Sequence, residues 1–413
     1  MCCVQKHDVF PCQAPWLRCR KSTPFTKCGL CEYLVHCIYN AAQGSGRVKL
    51  MNRLALHHSW QGAQRKCLDE LIEQSRRTPL DLVVFSIDKL DQQKSIVPHS
   101  HSMRTTAFFK QGNRFVVGLV GVLIYALTNA CYCFSTLENH SHGSSFQCSL
   151  LLDIVVLIHR SLGRLPTRLI INADNTYKET KNTITLFWIA WLLANSQGSG
   201  LIYVEMVFLM AGHTHGPVDR WFALAMAALR GQSYMTLPRL FGLLEARMKD
   251  GVFWAHARDV YAWKEARPPW TGIDATRVKG IGMPHAFRLH VDRSGACIIE
   301  TKRWMSDPIY GAPHVLLDAT GMTRLRGWEP PASPPSWDRT AAAGRTPVRD
   351  GLLSWLQKLE VLMHTSKIDN FTPEDLELLR QVGMYPAHTA TTHASQCFTD
   401  RHVTRTAVLL CAT

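Results

Sequence analysis

Three aspartates stand where apolar runs end. Val83-Val84-Phe85-Ser86-Ile87 leads into Asp88, and Leu169-Ile170-Ile171-Asn172-Ala173 leads into Asp174. The strand-like stretch from Ile202 to Met210 passes through Gly212-His213-Thr214-His215-Gly216-Pro217-Val218 to Asp219, at the start of a helix. Hard divalent cations prefer oxygen ligands. Two such ions about 3.5–4 Å apart stabilise both the attacking and the leaving oxygen of a phosphodiester under cleavage. One bridging carboxylate and one terminal carboxylate per metal would hold them, so Asp88, Asp174 and Asp219 are the candidate catalytic ligands for Mg²⁺ or Mn²⁺.

Each acid also has a plainer explanation. Asp88 can be a charged strand exit. Asp174 can cap the helix that follows it. Asp219, early in a helix that Pro217 starts well, can make a charge–dipole contact of about 0.3–1 kcal/mol. Around them lie the supporting candidates: Asp91 in Asp88-Lys89-Leu90-Asp91-Gln92-Gln93-Lys94, Asn175 and Lys181 on the turn into the next helix, and Arg220 beside Asp219. His213 and His215 either orient the Asp219 carboxylate, contact a phosphate or shape the loop. Alternating histidines are weak evidence for zinc without further spaced ligands.

A second constellation lies near the N-terminus. Cys28-Gly29-Leu30-Cys31 is a Cys-x-x-Cys pair, the candidate zinc pair of the chain, with His7, Cys12, Cys19, Cys37, His57 and Cys67 as further possible ligands. No second clean pair follows at standard spacing, so buried or incidental thiols are the alternative.

These residues need a scaffold. The 413-residue chain, 46% apolar, is long enough for one large domain with additions or for two domains. Its net charge of +14 suits a polyanionic partner, and DNA is the expected one. Met1 to Phe10 lacks the apolar stretch of a signal peptide. Fourteen cysteines without an export signal imply reduced thiols and a nuclear or intracellular setting. Residues 115–134 are nearly uncharged over a bilayer-spanning length. Their Val, Ile, Tyr and Phe content and the Thr128-Asn129 break favour two antiparallel strands over a membrane helix.

The pattern divides the chain into a Cys/His-rich, helical region (1–80), an apolar αβ core (81–250), a Trp-rich extension (251–326), a Pro-rich linker (327–348) and a helical segment with a disordered tail (349–413). Lys49 to Gln74 reads as a polar helix. In the core the order is strand (81–88), strand (114–123), strand (129–136), helix (147–162), strand (168–173), helix (180–195), strand (202–210), helix (217–230). A meander followed by alternating helices and strands implies a mixed sheet with helices on its faces. In the extension, His285–Val291 and Ala296–Thr301 flank Asp292-Arg293-Ser294-Gly295, a hairpin signal.

Asp174-Asn175 with Lys181-Asn182, then Gly-His-Thr-His-x-x-Val-Asp-Arg-x-Phe from Gly212 to Phe222, and the upstream Asp88-to-Lys94 motif resemble an uncharacterised transposase-derived family with a ribonuclease H-like domain of unknown function. Pro217-Val218-Asp219-Arg220 is also similar to the Asn-Pro-Ile-Glu helix start of mariner-type transposases. The resemblance covers about residues 25–310, and the Cys28–Cys31 pair looks like one found before the domain in that family. It implies a DDE/D-type core: a mixed five-stranded ribonuclease H-like sheet flanked by helices, with a Cys-rich helical N-terminal region and a small C-terminal extension. The expected function is metal-dependent cleavage or strand transfer on DNA, with an inactive descendant included. The alternative is a non-catalytic nucleic-acid- or protein-binding module, and an oligomer is compatible with either.

Overall fold

The computed structural model describes residues 28–90, 95–97, 99, 115–127, 131–136, 143–174, 180–210, 212, 216–234, 236–248, 251–254, 260–264 and 281–331. The expected linker and C-terminal helices, apart from the linker's first residues, lie outside these, as do Asp91, Asn175, His213 and His215. The chain divides into two compact units, Met1–His58 and Ser59–Thr413.

The larger unit is built on one mixed sheet. Its middle strands are β1 (Leu82–Lys89), β4 (Gly118–Ile124), β5 (Cys131–Thr136), β6 (Arg168–Ala173) and β7 (Tyr203–Phe208), in the spatial order β5-β4-β1-β6-β7. β5, β4 and β1 pair antiparallel, whereas β1, β6 and β7 run parallel. Residues 115–134 therefore contribute strands: β4 and the first part of β5 lie in this sheet, and β3 (Phe115–Val116) pairs with β2 (Ile96–Val97) in a small second one.

The sheet is wider than the five strands expected. Among the described residues it has nine, because β8 (Gly251–Trp254) adds to β5 in parallel, while β9 (Ala286–Val291), β10 (Cys297–Lys302) and β11 (His314–Leu317) extend the β7 edge antiparallel. The hairpin expected at 285–301 is thus β9–β10. Its inward residues Phe287, Leu289, Cys297 and Ile299 are buried, and an isolated hairpin has no surface on which to bury them. The open edge of β7 supplies that surface. Arg168 and the Tyr310 hydroxyl both bond the buried Glu205 carboxylate, at 2.9 and 2.8 Å, and satisfy the one acid in the middle of β7.

Side chains alternate across the sheet with period two. Val83, Phe85, Ile87, Leu169, Ile171 and Ala173 face one layer, formed by α3 (Ser144–Leu162), α4 (Thr183–Asn195) and α7 (Ala319–Leu325). α4 is apolar on all sides and almost wholly buried, as an enclosed helix must be. Asn182 starts it by accepting the Thr185 N–H at 3.1 Å. Leu82, Val84, Ile170 and Val207 face the other layer, formed by α5 (Pro217–Leu229), α6 (Leu237–Arg247) and Leu68 and Ile72 of the long α2 (Ser45–Arg77). α3 is long and apolar enough to cross a membrane, but 61% of its apolar window is buried within the fold. The smaller unit contains α1 (Gly29–Asn40) and the first part of α2.

Candidate functional site

The parallel register sets the first two acids. Ser86 of β1 stands opposite Asn172 of β6; β1 reaches Asp88 two residues later, and Asp174 follows the last residue of β6, Ala173. Two residues is one pleat repeat, so Asp88 leaves the face of Ser86, and Asp174 follows Asn172 by the same interval just past the strand end. That face is the one covered by α5. Val218, Trp221, Phe222, Ala225 and Leu229 bury the inward side of this helix, which brings Asp219 in its first turn over the end of β1.

One glycine allows the close approach. On β4, Gly121 lies directly across from Asp88. A Cβ there would stand 2.9 Å from Val218 Cγ1, 3.0 Å from Phe222 Cζ and 3.3 Å from Cys131 Sγ. Any larger residue would push α5 off the sheet and lift Asp219 away.

The carboxylates sense one another. Asp88 is pushed up to about 7, first by burial, then by the Asp219 charge, with Asp174 adding to the same effect. A hydrogen bond between the Asp88 and Asp219 carboxyls raises it further, while the Lys89 N–H, donating to Asp88 Oδ1 at 2.7 Å, opposes the rise. Burial and the neighbouring charges together favour the protonated form of Asp88. Asp219 Oδ2 also accepts the Gly216 N–H at 2.7 Å, so the helix-start role foreseen for it is realised as well. Asp174 is exposed, and its backbone carbonyl accepts the Thr180 hydroxyl at 2.6 Å. Among the described residues, the three aspartates are not as tightly grouped as Cys28, Cys31 and His57, whose ligand atoms all lie within 4.8 Å of one another.

Beneath the acids lies a polar layer that the sequence reasoning missed. Ser86 Oγ accepts from Tyr125 Oη at 3.0 Å and from Asn172 Nδ2 at 2.8 Å. The signal was present: in both strands a polar residue, Ser86 or Asn172, sits two positions before the aspartate and therefore on its face. Lys181 is buried at the same sheet edge. Its Nζ donates to Gly282 O at 2.9 Å and lies 5.2 Å from the Phe208 ring centre, and burial lowers it to about 8. His285, stacked on Trp304, is held at 3.0 Å from the Phe208 carbonyl. Arg220 is exposed on the outer side of α5.

Residues 109–307 match a domain of unknown function, DUF7869. This match spans β4 to β10, and with them Asp174, Asp219, Gly121 and Asn172. Asp88, on β1, precedes the DUF7869 span, as does the thiol–imidazole cluster. No curated protein matches the chain.

In the smaller unit, Cys28, Cys31 and His57 form a cluster that can hold a metal such as zinc. Of the other ligands considered, His7, Cys12 and Cys19 lie outside the described residues. Cys67 belongs to the larger unit, where its thiol faces Met305 O at 3.8 Å. Burial and the neighbouring His58 lower His57, which favours the neutral imidazole that ligates metal.

Proposed function

We propose that the larger unit is a ribonuclease H-like, transposase-derived domain of DDE/D type, which binds Mg²⁺ or Mn²⁺ through Asp88, Asp174 and Asp219 and acts on phosphodiesters of DNA. The observation that carries this is the placement of Asp88 near the end of β1 and of Asp174 just past the end of the adjacent parallel β6, with Asp219 on the helix above close enough to raise Asp88. The middle strand order β5-β4-β1-β6-β7, three antiparallel then three parallel sharing β1, supports the fold assignment. It is the order expected of the ribonuclease H-like meander with two crossover strands.

In this reading the proton that the raised Asp88 retains marks where a cation belongs. Divalent ions would displace it and relieve the repulsion of the three acids. When bound, the metals supply charge stabilisation at the attacked phosphate. Ser86, Asn172 and Tyr125 hold the floor of the site and fix the strand ends. Lys181, at the same edge with a lowered affinity for its proton, is suited to a phosphate oxygen or to a proton transfer near neutral pH. The chain's positive charge favours the DNA backbone.

The test is a strand-cleavage assay on labelled DNA with Mg²⁺ or Mn²⁺, comparing the protein with Asp174→Asn. The substitution keeps shape and removes a ligand charge. Cleavage by the wild type and loss of at least about 10²-fold in the variant support the reading. Equal cleavage by both assigns the activity elsewhere. Metal-independent DNA binding without cleavage favours the non-catalytic module.

A further inference from the structure

We propose that Cys28, Cys31, His57 and His58 form a closed tetrahedral zinc site that fastens α1 to the first half of α2. It is independent of the carboxylate site and lies in the smaller unit.

The geometry already resembles a ligand shell. Cys28 Sγ lies 3.3 Å from His57 Nε2, and Cys31 Sγ lies 3.5 Å from His58 Nε2. A zinc ion with Zn–S near ~2.3 Å and Zn–N near ~2.0–2.1 Å sets neighbouring sulfur and nitrogen ligands about 3.5 Å apart in a tetrahedron. Both contacts match that edge. Cys28 precedes α1 and Cys31 lies in its first turn, so the three-residue spacing turns both thiols to one side. His57 and His58 are consecutive on α2, and their rings stand 6.0 Å apart, tilted by 48°. His58 stands at Cys31 rather than within the tight trio, and the proposal makes it the fourth ligand.

Among their described residues, α1 and the first half of α2 bury little by apolar packing. Between residues 28 and 58, the buried side chains are Cys28, Leu34 and His57. Two of the three are proposed ligands. Tyr33, Tyr39, Val48 and Met51 are more than half exposed, so little apolar area is removed from water. A twelve-residue helix has little stability alone. Small modules of this kind draw their folding free energy from metal. Two thiolates and two imidazoles select zinc over Mg²⁺ or Mn²⁺. A closed four-ligand shell marks the ion as structural rather than catalytic.

The test uses the full chain, purified with zinc in the medium, then measured for bound zinc and for alkylation of Cys28 and Cys31 with and without chelator. The expected result is about one zinc per chain, with both thiols protected until chelation. Cobalt(II) in place of zinc should give the intense visible bands of a tetrahedral sulfur–nitrogen site. His58→Ala should weaken zinc binding by more than the roughly 10–100-fold that loss of an outer partner costs. Cys37→Ser, on the same helix, should leave zinc content unchanged. Wild-type protein without zinc, whose Cys28 and Cys31 alkylate equally fast with and without added zinc, would overturn the site. Undiminished affinity in His58→Ala, or loss of zinc in Cys37→Ser, would overturn the ligand set. None of these readouts depends on DNA cleavage.

Discussion

At Asp88 burial and two neighbouring carboxylates act in one direction, and the consequence is a particular pH dependence. In the folded, metal-free protein this carboxyl is raised to about 7, whereas an unfolded aspartate titrates near ~3.9. Between those values the folded state holds a proton that the unfolded state has released. Stability from this group is therefore fully present below the unfolded value and is lost as pH rises through about 7. Asp88→Asn removes the repulsion without changing size. In chelator it should raise the melting temperature at pH 8, where the wild-type penalty is complete, and change it little at pH 4. A variant no more stable at pH 8 would show that the acids do not repel. The positions of Asp88 and Asp174 at the ends of apolar strands, and of Asp219 in the first turn of a helix, were legible in the sequence. The polar pair beneath them was not, since Ser86 and Asn172 gain meaning only when the β1–β6 register brings them together. His58 was hidden for a similar reason: only the pairing of α1 with α2 sets it beside Cys31.

The element that completes the site is α5, and the contact that seats it is Gly121. Gly121→Ala places a methyl 2.9 Å from Val218 Cγ1 and 3.0 Å from Phe222 Cζ, two side chains of one helix that must shift to admit it. Overpacking of this kind costs about 1–3 kcal/mol. A shift of Asp219 by about 1 Å would lower any cleavage activity by about 10²-fold. Gly62→Ala, inside α2 with nothing within 4 Å of the added methyl, should instead stabilise by roughly 0.5–1 kcal/mol. Thermal melts of the two variants should move in opposite directions, and a stabilised Gly121→Ala would refute the close packing. Most of these elements were readable. β1, β6 and β7 are short apolar runs, and α5 carries Pro217 at its start and Val218, Phe222, Ala225 and Leu229 at helical spacing. The full width of the sheet was not readable. The β9–β10 hairpin announces itself through Asp292-Arg293-Ser294-Gly295, but nothing local says which open edge receives it. β8 joins β5 in parallel across a large sequence separation, which local patterning does not encode.

Over the whole molecule, the net charge is +14, and Asp88, Asp174 and Asp219 stand near one another against it. Under the proposed function, DNA affinity should fall steeply between 50 and 200 mM salt, as ion release from phosphates requires. Asp174→Asn should bind as well as the wild type or slightly better, because it removes a negative charge from the DNA-facing edge. Fluorescence anisotropy at several salt concentrations measures both effects, and affinity insensitive to salt would count against a phosphate-directed surface. The central claim is that Asp88, Asp174 and Asp219 together make one divalent-cation site, and Mn²⁺ binding followed by electron paramagnetic resonance on zinc-loaded protein tests it most directly. The account predicts saturable Mn²⁺ binding by the wild type, strengthening as pH rises through about 7 while Asp88 gives up its proton. It predicts severe weakening by Asp88→Asn, Asp174→Asn or Asp219→Asn, each taken singly. A wild type that binds no Mn²⁺ at pH 8, or binding that survives all three substitutions unchanged, would contradict it.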